Sequence, residues 1–147
     1  MKFSALASLV FFALGPLATL ADTVAYDQTY DVASNSLNIV ACSDGPNGLE
    51  TLGFTTFGSL PKFPFIGAVG AVEGWDSVNC GTCWQLTYTN ATGGKKTIDV
   101  LAVDHAGPGT FNVALEAMNV LTNNQGVQLG RVTVTSAQVD PSVCGMP

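Results

Sequence analysis

Charge is what this sequence has least of. Asp, Glu, Lys and Arg make up 11% of its 147 residues, where an average soluble domain carries ~25%. Bases are scarcer than acids: five Lys and Arg stand against eleven Asp and Glu, for a net charge of −6. No basic stripe exists to track a phosphate backbone, which argues against a nucleic-acid partner. The same shortage argues against polybasic attachment to anionic lipid. Disorder is excluded from the other side, because 47% of the residues are hydrophobic and disordered chains are apolar-poor. No P-loop, dinucleotide fingerprint or EF-hand spacing occurs, and neither Ser43 nor Ser59 sits in a nucleophile elbow. No cofactor is expected. What the chain has instead is 16 Gly and 7 Pro, the mark of many turns rather than long helices.

One apolar run stands out, from Phe3 to Leu14 behind Met1 and Lys2. At ~12 residues it is too short for a bilayer, which needs ~20. Gly15-Pro16 breaks it, and the small residues up to Ala21 follow. This pattern is a secretory signal peptide, residues 1–21, cut after Ala21 or alternatively after Ala18. The remaining chain, 22–147, is expected to be one secreted domain without a membrane anchor.

All four cysteines, Cys42, Cys80, Cys83 and Cys144, follow that leader. An even number in a small secreted domain implies two disulfides, and spacing alone leaves three pairings open. Cys80-Gly81-Thr82-Cys83 is a CxxC, but a structural zinc site needs four ligands and His105 is the single histidine. No metal site is expected. The segment after this CxxC, Trp84 to Tyr88, reads as a strand, whereas a thioredoxin-like site wants a helix there. Each of the two cysteines is therefore expected to bond a distant partner. Asn90-Ala91-Thr92 is a glycosylation sequon.

Several elements can be read from the pattern. Thr23 to Tyr26 is an opening strand, and Gly48 to Gly53 one helical turn. Cys83–Thr89 and Lys95–Asp104 form a hairpin across Asn90 to Gly94. Ile98, Val100 and Ala102 fall on one face of the second strand, Leu101 and Val103 on the other, so this strand should lie centrally. Phe111, Leu115, Met118 and then Thr122 or Leu121 predict a helix over about Val113 to Leu121 with Thr110 or Asn112 as cap. Gly126 should end the connection. Gln128 to Val139 is a last strand, its phase slipping near Ser136-Ala137 as at a bulge. Short strands, one helix and two disulfides describe a small closed β-barrel.

Several motifs occur in order: Val24-Ala25-Tyr26-Asp27-Gln28-Thr29-Tyr30-Asp31, Val40-Ala41-Cys42-Ser43-Asp44-Gly45 and Gly53-Phe54-Thr55-Thr56-Phe57-Gly58-Ser59-Leu60-Pro61. Ile66-Gly67-Ala68, Cys80-Gly81-Thr82-Cys83-Trp84, Val103-Asp104-His105-Ala106, Phe111-Asn112 and Ala117-Met118-Asn119 follow. With this ordered set the chain resembles the cerato-platanin family of small secreted fungal proteins, over essentially all of residues 22–147. The resemblance implies a six-stranded double-psi β-barrel with one or two short helices, shaped like expansins and family 45 endoglucanases. It implies the pairings Cys42–Cys80 and Cys83–Cys144. It also implies binding of chitin-type N-acetylglucosamine oligomers, non-hydrolytic loosening of cell-wall polysaccharide including cellulose, self-assembly, and elicitation of plant defence through a surface receptor. The setting implied is extracellular or the fungal cell wall.

Asp104, at the end of the central strand, matches the acid of the related hydrolases. Inverting hydrolysis needs a second carboxylate ~6.5–9.5 Å away. Asp99 is an odd five residues upstream on the same strand and so on its opposite face. No other acid lies in a hydrolase motif, so no catalysis is expected. Asp104 can alternatively be a turn-builder. Sugar binding calls for acceptors, donors and aromatic faces along a groove. Tyr26, Tyr30, Asp31, Ser43, Asp44, Asn47, Asp104 and Asn112 match family positions of that type. Tyr30 by ring stacking and Asp104 by accepting hydrogen bonds lead the set. Trp84 is expected to pack by its disulfide, while Trp75 can pack or be displayed. A different class of function is a surface-active amphiphile. For it, Phe63, Phe65 and Ile66 would form an adhesive patch if exposed.

Overall fold

The computed structural model describes residues 21–147. The expected leader, 1–21, lies outside these residues apart from Ala21, and so does the alternative cleavage position after Ala18. Among the described residues six strands occur: β1 (Asp22–Tyr26), β2 (Ile66–Val69), β3 (Cys83–Thr89), β4 (Lys95–His105), β5 (Thr110–Val113) and β6 (Arg131–Val139). Two short helices, α1 (Leu115–Thr122) and α2 (Gly126–Leu129), fall between β5 and β6. The strands close into a barrel in the order β1-β5-β2-β4-β3-β6. Closure leaves no strand edge open to another chain.

The barrel forms where alternation is strongest. In β6 the burial alternates through Val132 and Val134, and Leu86 of β3 stands opposite Ile98 of β4. β4 is buried continuously from Val100 to Val103, as its two-sided apolar pattern requires. One side lines the barrel. The other, with Leu101 and Val103, joins the buried cluster that holds Leu37, Leu49 and Phe57. Those three sit in short 3₁₀ turns, Leu37–Ile39, Leu49–Leu52 and Phe57–Ser59. The whole stretch between β1 and β2 is thus a lid of turns over the outer face of β4. Truncating Leu101, fully buried, should cost about 2–5 kcal/mol.

Both disulfides of the family pattern are present. Cys42 bonds Cys80 and Cys83 bonds Cys144, and no cysteine is free. The CxxC therefore splits between two long loops, as read from the sequence.

Four readings change. Thr110–Val113 is a strand, not the start of a helix, and α1 begins at Leu115. Phe111 and Val113 satisfy a period of two as well as one of 3.6, and their partners in β1 and β2 decide between them. Neither Thr110 nor Asn112 caps α1; the carboxylate of Asp31 does so from the other end of the chain (see below). Gly126 opens α2 rather than ending the connection, which delays β6 to Arg131. No bulge occurs at Ser136-Ala137, where β3 and β6 pair without a slip from Cys83↔Val139 to Tyr88↔Val134. Ser136 keeps the inward phase and donates to the carboxylate of Asp22. The register shift lies instead between Gly67 and Ala68 of β2, opposite β4. The motif around Ile66 gave no strand signal, because β2 is only four residues long and contains a glycine. That glycine is needed: a Cβ on Gly67 would stand 2.4 Å from the Asn112 carbonyl oxygen.

The Phe63-Phe65-Ile66 patch does not form. Ile66 is fully buried, and Phe63 and Phe65 are half-buried against the core.

Candidate functional site

The bulge between β2 and β4 sets the position of Asp104. Gly67 pairs with Ala102, but the next residue, Ala68, pairs with Asp104. One extra residue, Val103, is accommodated on β4, and bulges re-aim the side chain that follows. Asp104 comes into line with Ala68, which on its other side is in line with Asn112 of β5. Two strand spacings, about 10 Å, separate Asp104 from Asn112.

The Asp104 carboxylate is held by three donors. Oδ2 accepts from the Tyr30 hydroxyl at 2.8 Å. Oδ1 accepts from the backbone N–H of Ala41 at 2.9 Å and of His105 at 2.8 Å. A carboxylate offers about four acceptor positions, so roughly one remains for a ligand. Tyr30 is 5% exposed and packs its ring 5.9 Å from that of Phe57. Its face is therefore not available to stack on a sugar, contrary to the role read from sequence. Its work is to hold Asp104. Burial, and then the neighbouring Asp104 charge, push the Tyr30 phenol well above the ordinary tyrosine range.

The residue after Asp104 anchors a second segment. His105 Nδ1 lies 2.5 Å from the Val72 carbonyl oxygen, so this nitrogen carries the proton and donates. The end of β4 thus fixes two loops at once, one at Ala41 and one at Val72. Cys42–Cys80 cross-links the same two loops. Farther out they meet again. The exposed Trp75 donates its indole N–H to Asp44 Oδ1 at 2.7 Å. This bond, more than any other contact, holds the Asp44 carboxyl below the ordinary carboxylate range. Ser43, buried, donates to the same oxygen at 3.3 Å. Asn47 donates its backbone N–H to Asp76 Oδ1 at 2.8 Å and its side-chain amide to the Asp76 carbonyl at 2.9 Å.

Six of the eight residues read from sequence are accounted for in this geometry. Tyr30 and Asp104 form the inner end, Ser43, Asp44 and Asn47 the outer loop, and Asn112 flanks Asp104 across β2. The other two stand apart. The Asp31 carboxylate accepts from Leu115 N–H at 2.8 Å and Glu116 N–H at 2.9 Å. It caps α1, whose own N-cap residue, Ala114, has no side chain to do so. Tyr26 ends β1 opposite Val113 and packs half-buried against the core. Trp84 is half-buried too, its ring 5.8 Å from Phe111 and its indole N–H donated to the Thr82 hydroxyl at 2.9 Å. Asn90 lies on the exposed hairpin tip, where its Oδ1 accepts from Thr92 and Gly94.

Sequence reasoning missed Asp76 and the anchoring role of His105, and left Trp75 open. A tryptophan between Gly74 and Asp76, outside any apolar periodicity, is the signal that favours display. Among the described residues no three His, Cys, Asp or Glu side chains are grouped to hold a metal ion. No helix there is long and apolar enough to cross a membrane.

The comparisons with known proteins agree with this frame. The family model described as cerato-platanin matches residues 22–146. The chain is 44% identical to the heat-stable 19 kDa antigen of Coccidioides posadasii, over 99% of each chain. Its fold matches the crystal structure of cerato-platanin 2 from M. perniciosa with a TM-score of 0.80 and 49% identity, covering 86% of this chain and 99% of that one. It matches the solution structure of the fungal elicitor cerato-platanin with a TM-score of 0.70 and 39% identity, covering 83% and 95%.

Proposed function

This chain belongs to the cerato-platanin family, and from that premise we propose that it is a secreted protein that binds N-acetylglucosamine oligomers without cleaving them. The observation that carries the reading is the Asp104 carboxylate, fixed by Tyr30, Ala41 and His105 with about one acceptor position to spare. A general acid must present a proton to the glycosidic oxygen, with a second carboxylate placed to activate water or attack. The groups bonded to Asp104 are a phenol and two backbone amides, which favours a role as hydrogen-bond acceptor over that cycle. A neutral ligand rich in hydroxyl and amide donors suits an acidic surface, whereas an anion does not. Loosening then follows from competition: the protein takes hydrogen bonds that one polysaccharide chain would make to the next, in chitin or in cellulose. The likeness to a fungal elicitor supports recognition by a plant surface receptor as a consequence of secretion.

The test is a calorimetric titration with the hexamer of N-acetylglucosamine, followed by assay of reducing ends. Weak binding is expected, micromolar to millimolar, since a shallow site recovers little of the cost of ordering a flexible oligomer. Reducing ends that accumulate with wild type but not with Asp104→Asn would overturn the non-catalytic reading.

One further observation favours a second activity, adsorption to interfaces with self-association. A cleft of about 370 Å³ is lined by Leu49, Leu52, Val78, Met146 and Pro147 among others, and Val78 is 79% exposed. Surface tension measured with Val78→Ser and Leu52→Ser variants tests it; unchanged surface activity in both would remove this reading.

A further inference from the structure

The site has a fixed acceptor at Asp104 but its expected aromatic, Tyr30, is buried. We propose that Trp75 is the aromatic platform of this site, and that one pyranose ring of the oligomer stacks on the indole while a neighbouring part of the ligand reaches Asp104. The inference rests on the sugar-binding reading above and names a binding residue for it.

Three features single out Trp75. It is 64% exposed, the largest side chain among the exposed apolar residues. Its edge is pinned, because the indole N–H is donated to Asp44 at 2.7 Å. Its backbone is pinned as well. Asp76, a non-glycine residue, is held at φ 58 and is gripped twice by Asn47. Gly45 leaves room for this grip, since a Cβ there would stand 2.7 Å from Asp76 Oδ1. Aspartate takes this left-handed conformation more readily than most residues, and the two bonds from Asn47 fix it there. The result is a large flat apolar surface that is immobilised yet not buried. Immobilisation before binding removes the ordering cost that a free side chain would incur on contact.

The chemistry fits a sugar. A pyranose has an apolar C–H face, which a ring face accepts, and a polar rim, which carboxylates accept. Asp44 stands at the indole edge. From Ala41, bonded to Asp104, the chain reaches Asp44 in three residues, at most about 10 Å. Platform and acceptor therefore lie within the span of a short oligomer. Trp84 is the internal control, because its ring packs on Phe111 and its N–H is taken by Thr82.

The experiment titrates the full secreted chain with the N-acetylglucosamine hexamer, reading heat and tryptophan emission. For wild type, emission should change on binding, and Trp75→Phe, which retains Trp84, should abolish that change. Trp75→Ala should raise Kd on the order of tenfold, and Trp75→Tyr should recover most of the loss, with the melting midpoint unmoved in all three. If Trp75→Ala binds within about twofold of wild type, the platform role is wrong while sugar binding stands. If wild type itself shows no heat and no emission change at millimolar hexamer, sugar binding fails and the platform role fails with it.

Discussion

Asp104, through its bond to the Ala41 N–H, and Asp44 mark the two ends of one short run of chain, and the fold treats them in opposite ways. Asp104 is partly buried and held by three donors that come from three parts of the chain. Asp44 is exposed and held by one exposed indole and one hydroxyl. The inner end exists because the barrel exists: a bulge in β4, a buried tyrosine and a lid of turns converge there. The outer end exists because two loops are cross-linked by Cys42–Cys80. Stability should therefore be concentrated at Asp104 and ligand contact shared with the outer end, and substitutions can separate the two.

The largest effects should come from the disulfides. Each closes a long loop, of 38 and 61 residues' separation, for about 4 kcal/mol in the chain-entropy picture. Replacing Cys83 and Cys144 by alanine should lower the denaturation midpoint yet leave hexamer affinity of the folded fraction intact. Replacing Cys42 and Cys80 should lower both, because these residues tie the Asp44 loop to the Trp75 loop. Equal loss of affinity in the two double variants would break the comparison.

Next come the residues of the inner end. Tyr30→Ala truncates a buried ring and should cost about 3–5 kcal/mol. Asp104→Ala leaves the Tyr30 hydroxyl and the Ala41 N–H without their partner and should cost about 2–3 kcal/mol. Urea titrations check both. A midpoint for Asp104→Ala equal to that of wild type would mean that the carboxylate is not a structural anchor.

A smaller effect separates Tyr30 from its neighbours by pH. Its folded-state pKa is raised, while the unfolded value is ~10. Above that pH the unfolded chain releases a proton that the folded protein keeps, so stability is full below ~pH 10 and falls as pH rises. Tyr30→Phe should be less stable near neutrality, by about 1.5–3 kcal/mol for a hydrogen bond to a charged group, but should lose this alkaline decline. Melting curves between ~pH 9 and ~pH 12 decide, relative to the ~10 of a free phenol.

The smallest expected change is at the outer end. Asp44→Asn should leave the melting midpoint in place. The Asp44 carboxyl is held low by Trp75, so its contribution is present above the unfolded pKa of ~3.9 and is lost as pH falls below it. Tryptophan emission should follow that loss in wild type and be flat in Asp44→Asn. An identical acid-dependent emission in both would show that the indole does not sense Asp44.

The barrel was the more legible of the two regions. Alternation from Cys83 to Val139 places β3, β4 and most of β6, and the two-sided apolar run from Val100 to Val103 places β4 at the centre. The short strands β2 and β5 were hidden, because four residues carry too little periodicity and only pairing with their neighbours makes them strands. At the site, residue types were legible and roles were not. A tyrosine in a turn has the same letter whether its ring faces solvent or Phe57. The carboxylate of Asp31 reaches a helix more than eighty residues away, and no local pattern announces that. The bulge that brings Asp104 into line with Ala68 arises only when β4 pairs with β2, a strand too short to be read from its own residues.

Backbone amide NMR during titration with the N-acetylglucosamine hexamer is the most direct test of binding along this surface without cleavage. Shifts should concentrate at Ala41 to Asn47, Gly74 to Asp76, Asp104, His105 and Asn112, with the hexamer recovered at full length. Shifts centred on Leu52, Val78 and Met146, or a shortened hexamer, would contradict it.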